Sequence, residues 1–330
     1  MIQVLSGFAI VWVIILIGYF IGRTNVLGPN AESVLSRTAF FVASPALLFE
    51  TLAQANIKEV LGPQMGVAAL SAFAAVGLYF LIARFLFRKR TAGELVIGAL
   101  SSSMVNSANL GIPIATYVLG SASFAAPVLM FQLAIYTPIY VTALDTITGE
   151  HEKHVAKIGP DGAPVQRVRP PWHVTLGRIG LQILKNPLIV GSFAGILFSW
   201  QQWPVPDVLN APVELIAGAA VPCMLLAFGI SLVGSKPLQK SSNRRMDVGV
   251  ATVLKLVAQP IIAFFLAQFL FQLEGHQLLA AVVLASLPAA QNVFVAASRY
   301  QVGLVVAKDS VLVTTIAAIP AMIAIALLLN

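Results

Sequence analysis

Long apolar blocks alternate along this chain with short segments that hold nearly all of its charge. Crossing ~30 Å of hydrocarbon as a helix takes roughly 20 residues. Uncharged runs of that length lie near 3–22, 64–83, 186–206, 215–235, 256–273, 275–298 and 310–329. The stretch from Leu95 to Leu144 is uncharged throughout and too long for one span. The small-residue cluster GSASFAAP (Gly120 to Pro127) divides it into a fourth and a fifth. A further span is predicted near 33–53, where apolar residues flank both Arg37 and Glu50. The pattern therefore predicts ten membrane-spanning helices.

The predicted helices do not all read as smooth cylinders. MVNSANLGIPIATY (Met104 to Tyr117) places two asparagines, a glycine and a proline at membrane depth. SLPAAQNVF (Ser286 to Phe294) places a proline, a glutamine and an asparagine at the same depth in the ninth span. Proline removes a backbone donor and disfavours helix at the residue before it, and glycine relaxes the backbone. A break at Gly111–Pro113 and another at Pro288 are predicted. Peptide groups freed there need partners in hydrocarbon, which the amides of Asn106, Asn109, Gln291 and Asn292 can supply in part. A break also directs a helix N-terminus, carrying roughly +0.5 charge, at the centre of the bundle. Two such ends favour a small organic anion, with asparagine amides donating to its carboxylate.

Composition agrees with the pattern: 58% of residues are hydrophobic, 10% are charged, and mean hydropathy is +0.88. A soluble domain carries about a quarter charged residues, so the chain is read as an integral membrane protein whose partner is the lipid bilayer. The N-terminal run MIQVLSGFAIVWVIILIGYF lacks a basic leader and an A-x-A-like cleavage site, and reads as the first span. With the N-terminus outside, basic residues from Arg23 and Arg37 through RFLFRKR (Arg84 to Arg90) to Arg299 fall on the inner side, and only Lys58 falls outside. The positive-inside rule then places both termini outside the cell membrane. Topology accounts for the net charge of +7, and no nucleic-acid partner is needed. The single Cys223 excludes an intrachain disulfide. His151, His154, His173 and His276 form no convincing metal constellation, and there is no phosphate-binding P-loop. Neither an enzyme nor a cofactor is expected.

Residues 148–175 form the one long polar segment and are expected to be a cytosolic linker between 1–147 and 176–330. Five spans on each side imply halves inserted in opposite orientations. GYFIG (Gly18 to Gly22) matches GSFAG (Gly191 to Gly195), and SPALLF (Ser44 to Phe49) matches VPCMLLAF (Val221 to Phe228). Asn109, Tyr117 and Gly120 align with Asn292, Tyr300 and Gly303. Interrupted spans at corresponding places in inverted halves are a sequence pointer to a transporter site.

NSANLGIP (Asn106 to Pro113) and LPAAQNVFVAASRYQVG (Leu287 to Gly303) resemble the auxin efflux carrier family, which includes plant PIN proteins and bacterial permeases for malate or malonate. The resemblance implies an all-α fold like the NhaA antiporter and bile-acid symporter group. In that fold helices 1, 2, 6 and 7 form a scaffold, and helices 3–5 and 8–10 form a transport domain with two crossover helices. It implies an elevator-type alternating-access mechanism. Asn106, Gly111, Pro113 and Pro288 match the crossovers. FQLAIYTPIY suggests Gln132 and Tyr136 as substrate contacts.

Four ionisable positions keep two readings. Glu50, with Glu214 at a corresponding depth, is either an interfacial carboxylate or a proton-linked acid. Asp309 either carries a coupling proton or pairs with Lys255. The expected activity is secondary transport of a mono- or dicarboxylate. A passive anion channel, a membrane sensor and a cation/proton antiporter are the alternatives, and a homodimer is left open.

Overall fold

The computed structural model of the chain describes residues 2–54, 62–148, 185–234 and 244–329. Lys58, most of the predicted linker, and His151, His154 and His173 lie outside the described residues.

Among the described residues every named element is helical. In chain order they are α1 (Ile2–Thr24), α2 (31–53), α3 (Pro63–Leu86), α4 (Ala92–Ser103), α5 (107–117), α6 (Ala122–Thr148), α7 (Pro187–Gln201), α8 (207–231), α9 (Arg245–Leu270), α10 (Gly275–Ala285), α11 (Gln291–Tyr300) and α12 (Leu304–Leu329). By length and composition α3, α6, α8 and α9 each suffice to cross a membrane, and α12 makes a fifth although it bends by 44° near Pro320. The part of α1 from Ala9 to Thr24, α7 and α10 are apolar but shorter.

Two helices begin well before the expected boundaries. α9 starts at Arg245 rather than near 256, and α12 at Leu304 rather than near 310. Charged residues were read as span limits, yet Asp247, Lys255 and Asp309 are buried inside the protein. Lipid never meets them, so they do not end the helices.

Prolines explain most of the irregular turns. A proline at position i has no N–H for the carbonyl at i−4, and its ring presses on that carbonyl. The wide π-turns Ala39–Ala43, Ser107–Gly111, Phe131–Tyr136 and Leu254–Ala258 each stand two residues before a proline: Pro45, Pro113, Pro138 and Pro260. The helix widens and continues. A fifth π-turn, Leu266–Leu270, ends α9 with no proline after it.

Glycines set the closest helix contacts. α1 packs along α8, and α7 along α2. A methyl group at Gly18 would lie 2.5 Å from the Leu226 carbonyl oxygen, and one at Gly229 2.1 Å from that of Ile15. In the second pair, Gly191 and Gly195 meet the carbonyl oxygens of Pro45 and Phe49 at 2.4 and 2.7 Å in the same sense. Backbones touch at these points because nothing stands between them.

Where α3 ends and α4 and α9 begin, two ion pairs tie the helix ends together. Arg90 donates through Nε and Nη2 to the two carboxylate oxygens of Asp247, at 2.9 and 2.8 Å. That paired hydrogen bonding raises the guanidinium above its ordinary pKa, so Arg90 stays charged. Arg244 pairs with Glu94, which also closes a reciprocal cap with Thr91 at the start of α4.

Candidate functional site

The two interrupted helices meet. α4 ends at Ser103, Met104 is extended, and α5 begins at Ser107 with Asn106 as its cap. α10 ends at Ala285, and α11 begins at Gln291 after the extended Ala290. Val105 and Ala289 form an antiparallel bridge. The Asn106 amide donates to the Pro288 carbonyl at 2.8 Å, and the Ala290 amide to the Met104 carbonyl at 2.9 Å. Peptide groups freed by one break are thus satisfied by the other, as burial in an apolar interior requires.

Side chains from two further helices complete the pairing. Thr314 Oγ1 of α12 accepts from the Ala289 amide at 3.0 Å. Gln259 Nε2 of α9 donates to the carbonyl of Ser103 at 2.9 Å. Lys255 Nζ, one turn earlier, donates to the carbonyl of Ala285 at 2.7 Å. These are the last carbonyls of the two half-helices that run into the breaks.

The first break falls at Met104–Asn106 and not at Gly111–Pro113. Pro113 is accommodated by the π-turn before it, whereas Asn106 Oδ1 accepts from the Asn109 amide at 3.4 Å and starts a new helix. The ninth-span break stands at Pro288, where the sequence places it.

A cavity of about 60 Å³ opens beside the bridge. Its polar wall holds Asn106, Ser107, Asn109, Gln132, Gln291 and Asn292, and its apolar wall includes Phe40, Leu129, Leu133 and Leu188. The N-terminal turns of α5 and α11 both line it. Asn109 Nδ2 donates to Gln291 Oε1 at 2.9 Å, joining those turns, and Ser107 Oγ donates to Gln132 Oε1 at 3.2 Å. Asn106 is 3% exposed, and its Nδ2 has no partner. Among the described residues lining the cavity there is no Asp, Glu, Lys or Arg.

The structure therefore brings Asn106, Asn109, Gln132, Gln291 and Asn292 together, while the other sequence candidates stand apart. Gly111 and Pro113 are buried within α5 and do not line the cavity; a methyl at Gly111 would press on Leu287 at 3.1 Å. Pro288 contributes its carbonyl to the bridge. Tyr136 stacks on Phe131, and its hydroxyl lies 2.5 Å from Ser103 Oγ, within the core. Glu50 is half-buried at the far end of α2, away from the cavity. Lys255 does not pair with Asp309, because the π-turn aims its ammonium at Ala285; Asp309 is buried elsewhere on α12. Asp145, on α6, accepts a 2.7 Å hydrogen bond from the Tyr300 hydroxyl.

Gln259, Thr314, Phe40 and Leu188 are site-building residues that sequence reasoning missed. For Gln259 a signal existed: Lys255 and Gln259 stand four apart, on one face of an otherwise apolar helix, immediately before a proline.

Helices too apolar for water, two of them broken around a polar cavity, define the class as membrane transport proteins. A family model described as "Membrane transport protein" matches residues 4–326. The chain belongs to that family, the auxin efflux carrier family whose motifs it bears. It is 26% identical over 307 residues to a Rhizobium meliloti protein named "Putative malonate transporter", covering 92% of this chain and 88% of the relative. An "Uncharacterized transporter" of Methanothermobacter thermautotrophicus is 24% identical over 311 residues, covering 93% and 92%. YfdV of Escherichia coli K12, also called an uncharacterized transporter, is 24% identical over 296 residues, covering 88% and 86%.

Proposed function

We propose that the protein is a secondary carrier of a small organic anion, a mono- or dicarboxylate, working by an elevator-type movement. The observation that carries this reading is the pair of helix N-termini, of α5 and α11, opening on one cavity where Asn106 Nδ2 has no protein partner. Each end contributes roughly +0.5 charge, and neutral amides complete the cradle. A carboxylate held this way is released more readily than one clamped by arginine. The name of the Rhizobium meliloti relative points to the same class of solute.

In this reading the chain forms ten spans in two inverted halves, with α4–α5 and α10–α11 as the two broken ones. Both termini lie outside the cell membrane. The glycine contacts support the inversion: the first span of each half packs on the second span of the other. Helices α1, α2, α7 and α8 form the scaffold, and α3–α6 with α9–α12 carry the solute past it. The cavity lies between the groups, since Phe40 and Leu188 come from the first and all its other lining residues from the second.

Uptake of radiolabelled malonate, malate and monocarboxylates into proteoliposomes tests the reading. Saturable uptake with counterflow is expected. Flux that never saturates makes the protein a channel, and thermal stabilisation by an acid without any flux makes it a sensor.

A further inference from the structure

The most deeply buried cation in the described residues serves no part of the anion cradle. Lys255 is 0% exposed. Its Nζ reaches the carbonyl of Ala285, the end of α10, while Gln259 Nε2 reaches the carbonyl of Ser103, the end of α4. One face of α9 thus holds the negative ends of both half-helices. The C-terminus of a helix carries roughly −0.5 charge. In carriers built on broken helices, such ends and the unwound carbonyls beside them coordinate the coupling sodium ion or proton.

We propose that Lys255 is a tethered counter-cation: its ammonium takes the place of a co-transported metal ion, so that anion transport by this chain requires no sodium. The inference rests on the carrier reading above. An ammonium presents three donors and no acceptor, as a metal cation presents only positive charge, and here it is supplied covalently. The π-turn Leu254–Ala258 before Pro260 carries Lys255, and the wider turn sets the direction of its side chain. The surroundings suit a cation. Next to Ala285 lies a second, small cavity of about 10 Å³, which shares Val105 and Gln132 with the anion cradle and is lined also by Gln64, Ser71, Ser103 and Gln259. Gln259 is 1% exposed, and its Oε1, an acceptor, has no partner. The Ala285 carbonyl and the unpartnered Gln259 Oε1 leave acceptors for a small ion if the ammonium is removed.

Two measurements on purified protein in liposomes test this. Wild-type uptake is measured with sodium, potassium or N-methylglucamine as the sole cation at constant ionic strength. Rates equal within twofold are expected, and uptake that needs sodium overturns the proposal while leaving the carrier reading intact. A wild type that moves no anion in any medium overturns the carrier reading, and this inference with it. Lys255→Ala is expected to lose at least tenfold in uptake in N-methylglucamine and to recover with added methylammonium or sodium. Lys255→Met, which fills the space without charge, is expected to stay inactive in every medium. A monodisperse Lys255→Ala protein that no small cation rescues overturns the proposal. If that variant does not fold, the ion-replacement result on the wild type decides.

Discussion

Asn106 joins both functions of its break in one side chain. Its backbone amide belongs to the bridge with Pro288, its Oδ1 caps α5, and its Nδ2 remains for a solute. Alanine at this position removes the cap and the solute contact together. A hydrogen bond to a charged group contributes about 1.5–3 kcal/mol, so Asn106→Ala is expected to raise the half-saturating concentration roughly 10- to 100-fold. Concentration-dependent uptake checks this, and an unchanged value removes Asn106 from the cradle. Asn106, Asn109, Gln291 and Asn292 were legible as cavity candidates because burying an amide without purpose is costly, whereas Gln259, in an equally apolar run, was not picked out. Apolar wall residues such as Phe40 and Leu188 were not, since a phenylalanine or leucine in an apolar helix carries no mark of facing a cavity. The direction of Lys255 was likewise hidden: an ideal helix gives one azimuth, and a π-turn gives another.

Among the elements, prolines decide which helices are straight, widened or broken. Four π-turns precede prolines and carry Phe40, Asn109 and Gln132, which line the cavity, and Lys255, which reaches the end of α10. The prolines are visible in the sequence, but whether each one widens, bends or breaks its helix depends on the partners available to the freed carbonyls. At Pro113 a wide turn absorbs the defect. At Pro288 the opposite break and Thr314 supply partners, and the chain opens. The glycines act between elements. Gly229→Ala is expected to destabilise the protein by about 1–3 kcal/mol, because its methyl would meet the Ile15 carbonyl at 2.1 Å. Gly77→Ala on α3, where nothing lies within 4 Å, is expected to be neutral or to stabilise by up to ~1 kcal/mol. Thermal unfolding in detergent measures both, and equal midpoints for the two variants would show that the α1–α8 contact has room to part.

At the scale of the molecule, the cavity joins helices expected to move relative to one another. Leu188 stands on α7 and Leu133 on α6, and both line it. In a Cys223→Ser background, Leu133→Cys with Leu188→Cys is expected to retain uptake until a short bifunctional thiol reagent is added, and then to lose at least nine-tenths of it. Full uptake by protein shown by mass spectrometry to be cross-linked would exclude sliding of α6 past α7. The helical class and the pairing of interruptions were readable along the chain. That the breaks meet was readable too, but the backbone groups that pair there, Asn106 with Pro288 and Ala290 with Met104, were not, because they stand almost two hundred positions apart.

That distance has a consequence for biogenesis. The Met104 carbonyl receives its donor from Ala290, so the first interruption stays unpaired until residue 290 has left the ribosome. At ~5–20 residues per second this wait lasts roughly 10–40 s. Throughout it the nascent N-terminal half needs water, the insertion machinery or a chaperone to shield its exposed peptide groups.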